Sequence, residues 1–316
     1  MLSSSAIKSK ARELGFDICG IAPAADHPEL YFFGDWLARG YAGEMAYLAR
    51  SADRRADVRR VLPTARTVIV TGTVYNVDRP YSTECADPGR AHISRYAWGE
   101  DYHEVIERRL DALIVWMRET AREPFDALAY VDTGPVQERV YAAHAGIGWV
   151  GKNSCVINPG LGSWLFLAEV ICSLALDTDV PAFDQCGACT LCLEACPTQA
   201  LVAPGVLDSR RCISYLTIEL RGPIPEPMRP HIGSHVYGCD ICQEVCPWNA
   251  TAPVSDDPAW QPRATWDQVN LRWLADKSDD ELAVALRASA MRRAKTSGLR
   301  RNITVALENA TGASRT

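Results

Sequence analysis

The sequence predicts an α+β chain. It passes from a sheet-bearing N-terminal part, through a small cysteine-rich region, to a short helical end. Three observations carry this reading. Residues 67–75 (TVIVTGTVY) are β-branched and apolar, as a central strand should be. Residues 101–121 repeat Ile106, Leu110, Leu113, Ile114 and Met117 at steps of three and four, which gives a helix one buried face. Eight of the twelve cysteines fall between Cys186 and Cys246 in two regularly spaced runs.

The remaining elements follow in order. Residues 3–15 are predicted helical, with serines as candidate caps and Gly15 as a stop. Residues 16–22 (FDICGIA) read as a short buried strand. A helix holding Trp36, Leu37, Met45, Tyr47 and Leu48 comes next, broken near Gly40 and Gly43. An Arg-rich polar segment, 50–60, precedes the strand at 67–75. Residues 76–93 carry two Pro and a Gly and read as a loop. After the helix at 101–121, a strand at 125–131 ends at Asp132-Thr133-Gly134-Pro135. Residues 137–145 are predicted helical, and 146–153 (GIGWVGKN) form a Gly-rich turn. Strands at 154–157 and 164–171 complete what reads as a mixed sheet. Within the cysteine-rich region, 180–250, the residues Pro223, Pro225, Pro227 and Pro230 predict an extended, loop-like path. From 262 onward the pattern is helical, and 300–309 (RRNITVALEN) resembles one helix of a helical repeat, although no full internal repeat is visible.

A chain of 316 residues accommodates one large domain or two to three ordinary ones. Its net charge of −6 argues against a uniformly basic surface but leaves local basic patches open. The first residues, MLSSSAIK, lack an apolar core of signal-peptide length. No run approaches the ~18 apolar residues of a membrane span. Cysteines held in a metal-cluster pattern point to a reducing, cytoplasmic location.

Residues 186–197 have the spacing C-x2-C-x2-C-x3-C-P, the bacterial-ferredoxin run for a 4Fe–4S cluster. Cys239, Cys242, Cys246 and Pro247 give C-x2-C-x3-C-P, and Cys212 is free to supply the missing first position. In two-cluster ferredoxins the fourth Cys of each run ligates the other cluster. The expected ligand sets are therefore Cys186, Cys189, Cys192 and Cys246 for one cluster, and Cys196, Cys212, Cys239 and Cys242 for the second. Zinc sites usually pair two separate C-x2-C knuckles across a long gap, which is not this pattern. Residues 213–238, 26 positions, stand where a plain ferredoxin has two.

Other constellations leave two readings each. Asp132 lies where a strand ends, a position for a catalytic or ligand group or for a helix cap. Residues 148–154 (GWVGKNS) combine Gly flexibility with a cation and amides, which suits close approach to a bulky ligand, or simply a turn. They lack the P-loop spacing. Residues 95–103 (RYAWGEDYH) could line a pocket, with Asp101 capping the following helix. Cys19, Cys85, Cys155 and Cys172 have no metal spacing and read as buried or incidental thiols. Between Leu282 and Leu307 there are six basic residues, Arg287, Arg292, Arg293, Lys295, Arg300 and Arg301, and no acid. Such a patch suits a phosphate backbone or a solvated helix face.

Taken together, these segments resemble the epoxyqueuosine reductase (QueG) family. The resemblance covers most of the chain. It rests on residues 131–153, 186–197, 211–219 (RCISYLTIE) and 237–249 (YGCDICQEVCPWN), with weaker support from 96–103 and from Arg55-Ala56-Asp57. Where the family would have Pro after that Asp, this chain has Val58. The resemblance implies a nitroreductase-like cobalamin domain over 1–178 and a two-cluster ferredoxin-like domain with an insertion over 179–252. It also implies a short C-terminal α-helical, HEAT-like segment over 253–316 that contacts tRNA. The implied activity is reduction of epoxyqueuosine to queuosine at the wobble position of tRNA. Flavodoxin or ferredoxin would feed the clusters, and cobalamin would be reduced through them.

Asp132 matches the family's proton donor, and to serve it should hold its proton near neutral pH, as burial beside an apolar corrin would favour. Arg55, Asp132, Lys152, Asn153, Ser154, Ser214 and Asp240 are the candidate cobalamin contacts. Arg292, Arg293, Lys295, Arg300 and Arg301 are the candidate tRNA contacts. Asp101-Tyr102-His103 begins like the D-x-H-x-x-G signature of proteins that ligate cobalt through His, but Ile106 occupies the Gly position. That is compatible with the base-off, His-free cobalamin that the resemblance implies, in a monomer without membrane partners. The insertion is expected to leave the ferredoxin core and cover the cobalamin. Two other functions remain open on sequence: a reductive dehalogenase-like enzyme, and a cobalamin-trafficking or electron-carrier protein that does not bind tRNA.

Overall fold

The structure is a computed structural model and describes residues 2–312. Ser3 accepts a hydrogen bond from the Ala6 amide and starts helix α1 (Ser4–Glu13), which leads into strand β1 (Ile18–Pro23). Helices α2 (Phe32–Ala38) and α3 (Ala46–Arg50) flank the Gly40 and Gly43 break, and neither contains a buried residue. Helix α4 (Ala52–Ala56) precedes strand β2 (Thr67–Val74), which is buried at every position. Next come β3 (His92–Ile93), α5 (Tyr102–Thr120), β4 (Ala127–Tyr130), α6 (Glu138–His144), the hairpin β5 (Trp149–Val150) and β6 (Val156–Ile157), and β7 (Leu165–Cys172).

Strands β1, β2, β7 and β4 form one sheet in that order, and every pairing is antiparallel. This corrects the mixed sheet expected from sequence. A strand covered on both faces is a continuous apolar run whichever way its neighbour points, so its pattern carries no direction. Alternation sends Phe166, Ala168, Val170 and Cys172 of β7 into a core shared with α1 and α5. Leu167 and Ile171 face a second core with Tyr141, Ala142 and Ala145 of the α6 region. At Gly20 an added Cβ would lie 2.0 Å from the Ala145 carbonyl oxygen, so this second layer rests on bare β1 backbone.

The cysteine-rich part contributes α7 (Leu191–Ala195), the hairpin β8 (Leu201–Ala203) and β9 (Val206–Leu207), α8 (Ile213–Ile218), α9 (Arg229–Ile232), β10 (His235–Tyr237) and α10 (Ile241–Glu244). The insertion is therefore not the extended path expected from its prolines. Pro227 and Pro230 occupy first turns of short helices, where the missing amide costs nothing. β10 pairs in parallel with β3 and so fastens the insertion to the first part of the chain.

Helices α11 (Leu271–Asp276), α12 (Asp279–Ala285) and α13 (Lys295–Gly312) close the chain. They enclose no core of their own: Trp266, Leu271, Leu274, Leu282, Met291, Leu299 and Ile303 belong to the same buried cluster as α1 and α5. Helix α13 is also stitched to the insertion. Asn302, fully buried, donates to the carbonyls of Thr217 (2.7 Å) and Val236 (2.8 Å). Arg301 donates to the carbonyls of Leu216, Leu220 and Gly222. Among the described residues, no helix is long and apolar enough to cross a membrane.

Asn302→Ala leaves two buried carbonyls without their donor. It is expected to cost ~1–3 kcal/mol, read as a lower melting temperature. An unchanged melting temperature would show that α13 is not fastened in this way.

Candidate functional site

Strand β4 ends at Tyr130, and two residues later Asp132 adopts φ 57°, a left-handed conformation that is strained for a residue with a Cβ. The turn places Asp132 in a cavity of about 1840 Å³. Tyr102, His103 and Glu138 share the sheet-side wall. Trp36 and Tyr47 close one flank from α2 and α3. Ser214, Tyr215 and Ile218 close another from α8, and Ala290, Arg292 and Arg293 enter from the segment before α13.

Asp101 caps α5 by accepting a hydrogen bond from the His103 amide. The same carboxylate meets His103 Nδ1 at 2.7 Å, while His103 Nε2 points to Asp132 Oδ2 at 3.6 Å. The second separation is an ion-pair distance, too long for a hydrogen bond. Tyr102 stacks on the imidazole, with ring centroids 4.0 Å apart, and its other neighbour is Phe166 at 4.5 Å.

Burial works against a charged imidazole, but two flanking carboxylates outweigh it and raise His103 to about 9. For Asp132 burial pushes upward, and His103, the Tyr102 hydroxyl and Arg139 pull the carboxyl below its ordinary value. At neutral pH the proton therefore sits on His103 and Asp132 is a carboxylate. This corrects the expectation that Asp132 itself holds the proton. The side chain of Asp132 is 58% exposed, and that exposure is toward the cavity.

Residues 149–154 join this cavity to both cysteine runs. The Trp149 indole, 2% exposed, donates to Cys186 Sγ at 3.4 Å. Lys152 Nζ donates to the carbonyls of Gly187 (2.6 Å) and Cys189 (2.9 Å). Asn153 Nδ2 donates to the Cys242 carbonyl at 3.1 Å. Ser154, at φ 65°, lines the cavity with a buried hydroxyl that has no partner.

The eight cysteines fall into two groups by mutual influence. Burial raises the thiol of Cys192, and Cys246, Cys186 and Cys189 raise it further. Cys246 is likewise raised by burial and then by Cys186 and Cys189. In the other group Cys212 senses Cys196, Cys239 senses Cys212, and Cys242 senses Cys239 and Cys212. Cys155 lies between the groups, within reach of Cys246, Cys212 and Cys242. Among the described residues, no three His, Cys, Asp or Glu side chains are arranged to hold a single metal ion. A thiol-only donor set in two groups, with an indole N–H on one sulfur and the Ala200 amide on Cys196 Sγ, fits iron–sulfur clusters. The unpartnered Ser154 hydroxyl and the size of the cavity fit a bulky, amide-bearing ligand such as cobalamin.

The structure separates the other candidate residues. Arg55 and Ser214 line the cavity. Arg55 is held by Ser51 Oγ (3.0 Å) and the Val136 carbonyl (2.9 Å). Lys152 and Asn153 do not line it, because their polar groups bind the cysteine loops. Asp240 does not line it either: buried, it accepts from the Arg95 amide at 2.7 Å. Of the basic residues, Arg293 forms a two-bond pair with Glu219, Arg300 binds Asp279 and the carbonyls of Ala275 and Lys277, and the half-buried Arg301 is used up in the stitch described above. Arg292, 64% exposed, stands at the cavity 3.8 Å from Asp101, and Lys295 is exposed. The pairing of His103 with two carboxylates had no sequence signal beyond its place in the aromatic, charged stretch. The indole contact of Trp149 had none beyond the Gly-rich loop.

Two family models match: "Epoxyqueuosine reductase QueG, DUF1730" over residues 55–133, and "4Fe-4S double cluster binding domain" over residues 185–249. The chain is 46% identical over 312 residues to an epoxyqueuosine reductase from Gloeobacter violaceus, covering 96% of each protein. It resembles a crystal structure of epoxyqueuosine reductase with an epoxyqueuosine-modified tRNA-Tyr stem loop (TM-score 0.87, 31% identity, 98% of this chain and 82% of that one). It also resembles epoxyqueuosine reductase from Bacillus subtilis, in a structure whose aspartate-bearing catalytic loop is swung out of the active site (TM-score 0.85, 30% identity, 98% and 82%). With relatives this similar along almost its whole length, the chain belongs to the epoxyqueuosine reductase family.

Proposed function

We propose that this chain reduces epoxyqueuosine to queuosine at the wobble position of tRNA, with cobalamin in the cavity and 4Fe–4S clusters at the two thiol groups. The observation that supports this most is the junction at 149–154. One short segment touches both cysteine loops and the cavity that holds Asp132. The ligand sets are Cys186, Cys189, Cys192 and Cys246, and Cys196, Cys212, Cys239 and Cys242. Ser154, Ser214 and Arg55 would hold the cobalamin, which when bound supplies a strongly reducing cobalt centre. His103, held as an imidazolium by Asp101 and Asp132, would serve as a proton carrier beside the bound cobalamin, and a base-off form goes with this reading.

The chain's own residues manage the protons. An oxygen that leaves carbon as an alkoxide is a poor leaving group, so a donor at that oxygen lowers the barrier. Asp132 faces the cavity, and His103 behind it carries a proton. As the oxygen becomes basic, Asp132 passes that proton forward, and Asp101 holds the imidazole in line. The net change is two C–O bonds broken, one C=C formed, and oxygen released as water after two electrons and two protons.

Arg292 and Lys295 are the cations left for tRNA phosphates, while Arg293, Arg300 and Arg301 fasten the fold. The division into a nitroreductase-like part over 1–178, a ferredoxin-like part over 179–252 and a HEAT-like end over 253–316 goes with this reading. So do flavodoxin or ferredoxin as electron donor, a monomeric state and a cytoplasmic location.

Three outcomes are expected. Asp132→Asn, reconstituted anaerobically with clusters and cobalamin, should lose ~10²–10⁴-fold in conversion of epoxyqueuosine-tRNA, scored as queuosine by nucleoside mass spectrometry. Full turnover would remove Asp132 from the mechanism. Trp149→Phe removes an N–H donor from a cluster sulfur worth ~1 kcal/mol, so one midpoint potential should fall by up to ~40 mV in an EPR-monitored titration. Unchanged potentials would mean that the indole does not tune a cluster. Replacing both Arg292 and Lys295 by Ala should flatten the log–log salt dependence of tRNA binding by ~1.4, or ~0.7 for each phosphate contact. An unchanged slope would place the tRNA elsewhere.

A further inference from the structure

Two carboxyl groups beside the cavity, Glu169 buried and Glu138 half-buried, have no part in the chemistry above. Glu169 lies in the middle of β7, opposite Val70 of β2 and Tyr130 of β4. It is 1% exposed, and its Oε2 has no hydrogen-bond partner. Alternation puts it on the same face as Leu167 and Ile171, the face covered by α6. Glu138 is the first residue of α6 and lines the cavity. Among the described residues, neither carboxyl receives a side-chain hydrogen bond.

The charged groups around them are few. Glu138 senses Asp132, Arg139, Arg55 and His103, and Glu169 senses Glu138, Asp132 and Arg55. Tyr102 also lies within reach of Glu138, and Tyr47 within reach of Arg55. Among the described residues, Arg55 is the one cation acting on both carboxyls, and its Nε and Nη1 are directed to Ser51 and Val136. Asp132, Glu138 and Glu169 cannot all be ionised in that surrounding. An ionised carboxylate as buried as Glu169, with no donor to meet it, would cost several kcal/mol, so Glu169 keeps its proton. Burial and then Glu138 and Asp132 raise it well above its ordinary value. Burial and then Asp132 raise Glu138 to about 7.

We propose that Glu138 and Glu169 form a two-carboxyl proton store that supplies the second proton of the reduction through Glu138. The proposal rests on the reductase reading and completes its proton count. Water formation from the epoxide oxygen takes two electrons, which the proposed reductase draws through its clusters from a flavodoxin or ferredoxin donor, and two protons. His103 delivers one through Asp132. Glu138 delivers the other and is left as a carboxylate beside the neutral Glu169 until solvent in the cavity returns its proton. A group that titrates near the working pH can both give a proton and regain it. The two carboxyls titrate as a pair, so the limb they produce belongs to both.

Infrared spectroscopy of the resting, cofactor-loaded protein tests the store itself, and the pH profile of turnover tests its use. At neutral pH the wild type should show the C=O stretch of protonated carboxyl groups. Glu169→Gln should remove one such band and keep the wild-type melting temperature, because Gln replaces a group that is already neutral. Wild-type turnover should fall as pH rises through about 7. In Glu138→Gln that limb should vanish and turnover should drop by ~10²-fold. If that variant does not fold, Glu138→Asp carries the test, with the limb moved to lower pH. A missing carboxyl band, or a pH profile unchanged in the Glu138 variant, overturns the store and leaves the reductase reading intact. A wild type that shows the band but converts no epoxyqueuosine overturns the reductase reading and, with it, the role of the store.

Discussion

Electrons arriving at the cysteine loops have to reach a substrate cavity in a different part of the chain, and one short segment spans that gap. Residues 149–154 place an indole on Cys186 Sγ, an ammonium on two carbonyls of the first cysteine loop and an amide on the Cys242 carbonyl. The β5–β6 hairpin holds the segment rigid, with the Gly151 amide bonded to the Cys155 carbonyl at 2.8 Å. While its other polar groups serve both loops, Ser154 lines the cavity together with Trp149 and Val150. The placing of the cysteine loops against the cavity wall is thus fixed by hydrogen bonds. A loop held only by apolar contacts could slide.

The cavity also concentrates charge that the fold leaves unbalanced. Arg95 is a buried cation that the fold has largely paired, with its Nε alone left without a partner among the described residues. It is 3% exposed, it bonds the carbonyls of Val77, Arg79 and Pro80, and the rings of Tyr81 and Trp98 cover its guanidinium. His103 lies between two carboxylates instead, and Glu138 and Glu169 lie beside a third with one shared cation. Unsatisfied, shifted groups gathered around one cavity are a mark of chemistry, since a purely structural interior would have paired them.

Strands and long helices were legible because their apolar periods are direct readouts of burial, as at Thr67–Val74 and Tyr102–Thr120. Strand direction was not, since the central strands are covered on both faces. The prolines of the insertion misled because Pro suits a helix's first turn as well as a loop. Cysteine spacing carried the cluster chemistry, and the two groups of thiols are consistent with the proposed exchange of the fourth ligand. Lys152, Asn153, Arg300 and Arg301 show the limit of motif reading. A long polar side chain can serve a ligand or a neighbouring carbonyl, and only the tertiary fold decides between them. Glu138 was hidden in a helix start that looks solvated, and Glu169 in an apolar run.

The most direct test of the account is an electron count during single turnover. Anaerobic, reconstituted protein reduced by a measured dose of electrons is mixed with epoxyqueuosine-tRNA, and queuosine is counted by mass spectrometry. The account expects one queuosine for every two electrons lost from the protein. Electrons lost without queuosine, or queuosine formed without electrons, would contradict it.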